Sequence, residues 1–254
     1  MLFKNTARPL EVPSYTEAAD FHKLFTGPNL RLEIIGVLCA IAARSCVFRL
    51  GEDVFDGNHA TLSAAQFKEE MVRASDSCVE ACKTVCSGND IYLWLLHESV
   101  LLSGRMWGDS SPLVWSKLGE LSTEIYSFGI HREPKDSADI PIFLLESRRK
   151  LFAASYQLDK SVATFLGRPP RICWRYADRK LPLDLSDESM TASTSAFQHA
   201  CQSLNAEGWA TEGTYHRAGW IRVRYIMGTY REEVLEMSLE TVSSHSIERL
   251  KWVA

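Results

Sequence analysis

Cys78, Cys82 and Cys86 recur at intervals of four. On a helix they would share one face, and thiolates so arranged could ligate zinc. Zinc sites, however, favour chelating pairs two to four residues apart with further ligands from a second element. Met71, Cys78, Cys82 and Val85 fall on one apolar stripe, where cysteine packs as a small hydrophobe, so we assign these thiols to a core. "REEVLE" offers Glu232, Glu233 and Glu236, carboxylates that could chelate a cation. A carboxylate-bridged di-iron site would need Glu-x-x-His motifs from two helices, and a terpenoid synthase would need a second acidic cluster; the sequence has neither, so a solvated acidic face is expected. His131 follows a helix end, where capping or packing is its default role. There is no Gly-x-Ser-x-Gly elbow and no recognisable nucleophile–base–acid set. Gly167-Arg168 could open a phosphate loop, but such loops precede a helix N-terminus. This glycine follows a helix C-terminus, and Pro169 and Pro170 carry no N–H. No catalytic, cofactor-binding or metal-binding residues are assigned, and an enzyme is not expected.

The elements that position these residues read as helices almost throughout, with periods of three and four and few alternating runs. One helix is expected from after Pro13-Ser14 to about Phe25, capped by Ser14 with Glu17 three residues on. Asn29 is expected to cap the next, to about Phe48, with a loop from Gly51 to Thr61 after it. Ser63 with Gln66 has capping-box spacing and opens a helix to about Val85. Asp90 is expected to cap a helix through Arg105, and Ser111-Pro112 opens another that ends at Phe128, with Gly129 left-handed. A helix from about Pro141 to Leu166 follows, then a short one in "TSAFQHACQSLNA", a long one from Thr214 to about Ser238, and a further start at "SIERLKW". The expected fold is all-α: an antiparallel bundle or array of about eight or nine helices with no significant sheet. The 254 residues, 46% hydrophobic and 24% charged, are sufficient for a packed core. A net charge of -4 without a basic stripe argues against a free-standing nucleic-acid binder. No apolar run reaches membrane-spanning length, no secretory signal opens the chain, and seven cysteines point to a reducing compartment. Nothing marks an internal boundary, so residues 1–254 read as one domain.

The helix ending at Leu166 carries an anomaly. With Leu144 as origin, Leu151, Leu158, Val162, Phe165 and Leu166 lie on one side, and Glu146, Lys150, Gln157, Lys160 and Thr164 on the other. Arg148 and Asp159 fall inside the apolar stripe, about 16 Å apart along the axis, too far to pair with each other. Either each finds a partner elsewhere, or it reaches solvent at the stripe's edge; an unpaired buried charge is costly. Arg168, beyond the chain reversal at Gly167, is the expected partner of Asp159. Arg148 is expected to meet a carboxylate on a neighbouring helix.

The string "LESRRKLFAASYQLDKSVATFLGRPPRI…LPLD" resembles the signature of the fungal-specific transcription factor domain, the middle homology region of fungal binuclear zinc-cluster regulators. The matching residues are Glu146, Arg148, Arg149, Leu151 with Phe152, Asp159 with Lys160, Gly167-Arg168-Pro169-Pro170, and Leu181-Pro182. Gly129, Ile130 and His131 stand where the family has Gly-Leu-His. Phe152-Ala153 departs from the tryptophan-rich pair usual there. The six-cysteine module that holds two zinc ions and reads DNA is absent, since no Cys-x-x-Cys occurs. The resemblance thus implies a regulatory domain without its DNA reader: a fragment, a gene model truncated at one or both ends, or a paralogue that lost the cluster.

It further implies a regulatory role in transcription, with no cofactor in this chain because the family's zinc cluster is missing. DNA would be reached only indirectly, through a zinc-cluster module in cis or in trans. Co-regulator proteins, a second copy in a homodimer and a small-molecule effector are the implied partners, and no membrane is. Location would be nuclear by family, or cytoplasmic if the module is truly absent. The alternative is a non-DNA-binding all-α interaction protein derived from such a regulator.

Overall fold

A computed structural model describes residues 1–48, 63–136 and 138–240. The expected loop at Gly51–Thr61 and the helix start at "SIERLKW" lie outside them. The described residues form helices α1 (Leu2–Ala7), α2 (Leu32–Val47), α3 (Ala64–Val85), α4 (Asp90–Trp107), α5 (Pro112–Phe128), α6 (Ile142–Leu166), α7 (Asp187–Thr191), α8 (Thr194–Cys201) and α9 (Arg217–Leu239). Among them no strand occurs, and the fold is all-α. No helix among them is long and apolar enough to cross a membrane.

Local chemistry sets several boundaries as expected. Ser63 and Gln66 close a complete capping box on α3. Ser111 caps α5 with Pro112 at its first position, and Gly129 ends that helix in the left-handed region at φ 78°. Elsewhere tertiary contacts prevail. The segment expected as a helix from Ser14 is a 3-10 turn over Ala18–Leu24, and Glu17 provides no cap. Its carboxylate accepts bonds from the amide and hydroxyl of Thr194, across 177 residues of sequence. Asn29 does not cap α2, which starts after Arg31; the Asn29 side chain donates to the Lys23 carbonyl instead. Asn89 rather than Asp90 caps α4, accepting from the amides of Ile91 and Tyr92. Asp90 is thereby left facing α6.

The core gathers Ile91, Leu95, Leu118, Leu121, Ile125, Leu144, Phe152, Val162 and Ile172, all 2% exposed or less. α2 crosses α4 closely at Gly36, where a Cβ would stand 2.7 Å from Leu95 Cδ1. α6 packs on α4 and α5 with one face and on α9 with another. Contacts on that second seam advance from Phe152–Tyr225 to Tyr156–Gly228 to Lys160–Glu232. The two helices therefore run the same way. This pair departs from the antiparallel expectation because the connection between α6 and α9 returns the chain to the start of α6, where Leu183 meets Glu146 and Asp187 meets Lys150, before α9 begins.

Candidate functional site: a buried charge network on α6

α6 is covered on two sides, so its apparent polar face is also interior. Glu146, Asp159 and Lys160 are fully buried, while Phe165, expected inside, is 67% exposed. Lys160 donates to Asp159 Oδ2 at 2.7 Å and to the Ile172 carbonyl, and forms an ion pair with Glu232 Oε2 at 3.1 Å. The Tyr156 hydroxyl donates to the same Glu232 oxygen at 2.7 Å, and the Lys160 ammonium lies 4.3 Å from the centre of the Tyr156 ring. Burial and the Glu232 carboxylate both push the Tyr156 phenol upward, so it stays a donor.

Arg168 is not the partner of Asp159. Its guanidinium sits over the Trp115 ring, 5.3 Å from the centroid. Asp159 accepts instead from the backbone amides of Arg171 (3.0 and 3.1 Å) and Ile172 (3.0 Å). The corner itself explains this. Gly167 turns left-handed at φ +60°, and the Arg168 amide closes onto the Ala163 carbonyl. Pro169 and Pro170 have no N–H, so Arg171 and Ile172 hold the first free donors past the reversal. Gly-Arg-Pro-Pro thus delivers amides, not a guanidinium, to the buried carboxylate.

Arg148 finds the expected carboxylate on a neighbouring helix: Asp90, bound through Nε at 2.7 Å and a terminal nitrogen at 2.9 Å. Arg149 bridges Glu146 and Glu133. The second Glu146 oxygen accepts from the Leu183 amide at 2.8 Å, just past Leu181-Pro182. Burial opposes ionisation of Glu133, but the Arg149 and Arg179 guanidiniums outweigh it and hold the carboxyl below the usual range. The buried Arg222 of α9 donates to the Pro182 carbonyl at 2.6 Å and lies over Trp209. The signature residues thereby join α6 to α4, to the segment after α5, to the chain at 171–183 and to α9.

Sequence reasoning missed Tyr156, Glu133 and Arg222, and it put Lys160 and Glu232 on polar faces that the structure buries. One signal was present. Gly228 lies one helical turn before Glu232, on the same face, and a glycine inside a long helix marks a close approach. Glu232 is accordingly 1% exposed, not part of a solvated acidic face. Ligand atoms of Cys173, Glu232 and Glu236 lie within 4.8 Å of one another, a spacing that could chelate a cation. Glu232 is already engaged by Lys160 and Tyr156, and Glu236 by Arg175 at 2.6 and 2.7 Å, so these carboxylates belong to the network. Burial pushes the Cys78 thiol up to about 11 and Cys86 up to about 12, with Cys82 also raised. Such thiols pack rather than ligate. His131 meets the Tyr126 ring edge-on, and burial lowers its pKa, so it is not a cation complementing the helix dipole.

Among the described residues, the charged signature is spent on joining the fold's own elements. Residues 35–215 match the fungal specific transcription factor domain, and the chain belongs to that family. It is 26% identical over 192 residues to transcription factor lepE of Aspergillus flavus, covering 74% of this chain and 22% of that protein. It is 30% identical over 122 residues to transcription factor FBD3 of Gibberella moniliformis, covering 46% of this chain and 16% of that one. A third relative, activator of stress genes 1 of Saccharomyces cerevisiae, is 33% identical over 86 residues, covering 34% of this chain and 9% of its own. The chain spans less than a quarter of the length of these relatives. No solved structure matches it. The family is one of transcription factors.

Proposed function

We propose that the chain acts as one regulatory unit that sets the output of a zinc-cluster DNA-binding module, attached or in trans, without contacting DNA or holding a cofactor itself. Its site of action would be nuclear, as for the family, and its direct partners co-regulator proteins. The observation that carries this reading is the family match over residues 35–215. The network supplies a physical route. Asp159, Lys160 and Glu232 are each 1% exposed or less and joined across two helices and a returning segment, so none moves without leaving a buried charge unpaired. A contact that shifts α9 would therefore move α6 in a concerted step rather than by gradual deformation. The test is a fungal reporter driven by a heterologous DNA-binding module. Fusion of residues 1–254 should change its output relative to the module alone, and Lys160→Met should abolish that change. Identical output with and without the chain would contradict the reading.

A further inference from the structure

The outward face of α9 is apolar along its whole length. Trp220, Val223, Met227, Tyr230 and Val234 are 48%, 36%, 56%, 66% and 58% exposed. The half-buried Met237 continues the series. The spacing alternates three and four, the pattern of a helix seam that packs against another helix. Scattered apolar side chains on a surface need no partner, but a contiguous stripe of large ones does. This stripe is separate from the buried face of the same helix, where Ala218, Arg222, Gly228, Glu232 and Leu235 meet the rest of the fold.

The stripe is also symmetric about its own midpoint, between Gly228 and Thr229. Counting outward, Met227 is level with Tyr230, Val223 with Val234, and Trp220 with Met237. The charges invert about the same point: Arg224 is level with Glu233, and Arg217 with Glu240. A helix with this symmetry matches a second copy of itself laid antiparallel across a two-fold axis. The apolar layers are then Met227 on Tyr230, Val223 on Val234 and Trp220 on Met237. The basic first half of each helix lies along the acidic second half of the other, and the two helix dipoles oppose. A parallel arrangement would instead stack Trp220 on Trp220 and bring like halves together.

We infer that α9 is a self-association surface, through which two copies of the chain form an antiparallel, two-fold symmetric helix pair about Gly228–Thr229. The inference stands independently of the transcriptional reading.

Sedimentation equilibrium on the full chain tests it. The expected result is a monomer–dimer equilibrium. The substituted residues are exposed in the monomer, so Met227→Glu with Tyr230→Glu should leave the thermal melt unchanged when it is recorded well below the dissociation constant. The same pair should weaken the dissociation constant by about 30-fold or more, as expected for central apolar anchors. Orientation is read by mixing Val223→Cys and Val234→Cys chains, oxidising, and mapping the linked peptides by mass spectrometry. Linkage of position 223 in one chain to position 234 in the other supports the antiparallel pair. Linkage of 223 to 223, a chain monomeric at every concentration, or a dimer indifferent to the double substitution would each overturn it. If the double variant melts early, the linkage map decides alone.

Discussion

A lysine ammonium without access to water needs acceptors and opposite charge around it. Lys160 has both: it donates to Asp159 and to the Ile172 carbonyl, and Glu232 adds a second carboxylate at 3.1 Å. Lys160→Met keeps most of the stem but strands two carboxylates in the core. The expected cost is about 3–5 kcal/mol, measured by urea unfolding, because breaking one side of a buried pair leaves the other uncompensated. Adding Glu232→Gln to Lys160→Met should recover part of it by removing one stranded charge. Arg168→Ala should behave quite differently. It loses an exposed stacking contact with Trp115, worth about 0.5–1 kcal/mol, and leaves Asp159 with its amides and its lysine. Equal losses for Lys160→Met and Arg168→Ala would return Arg168 to the role that its position in the sequence invites.

The seam between α6 and α9 depends on Gly228. A Cβ there would stand 2.8 Å from Tyr156 Cε1, on a ring whose hydroxyl is held by Glu232 at 2.7 Å. Gly228→Ala gains up to about 1 kcal/mol of helix propensity. Overpacking of a fixed ring costs about 1–3 kcal/mol, so the net effect should be destabilising, with a melting temperature lower by a few degrees. A variant that melts above wild type would mean the ring can retreat. The same seam marks what the sequence could and could not disclose. Ser63 with Gln66, Ser111-Pro112, Gly129 and Gly167 act on their own neighbours, so their caps and turns were legible. Arg148 was legible as a charge in need of a carboxylate, though not that Asp90 provides it. The polar side of α6 was misread because a helical wheel assumes one covered face. Covering further faces with α9 at Lys160 and with the returning segment at Glu146 turned both residues inward, while Phe165 stayed outside. Glu17 was misread for a related reason: a local cap competed with a distant Thr194 and lost.

At the scale of the molecule, acid stability reports how the helices are joined. His97 of α4 lies among three of them: its Nδ1 is 3.0 Å from Ser155 Oγ of α6, and Arg44 of α2 is close by. Burial, aided by the Arg44 charge, pushes the imidazole down to about 4 from 6.5. The sign follows from proton counts. Between those two values the unfolded chain binds a proton that the folded chain refuses. The stability contributed by neutral His97 is therefore complete above about pH 6.5, lost progressively as pH falls to about 4, and constant below. By linkage the gap corresponds to at most about 3 kcal/mol, and less in practice, because His97 also lines a cavity between α4, α6 and α9 that admits solvent. His97→Gln keeps a hydrogen-bonding side chain but cannot titrate. Urea unfolding of both proteins at pH 7 and pH 4.5 isolates the effect, since every other group is shared. Wild type should lose about 2 kcal/mol more than His97→Gln over that interval. Parallel losses would mean that the three helices already separate enough to hydrate the imidazole, and the junction of α2, α4 and α6 would then be the first part of the domain to open in acid.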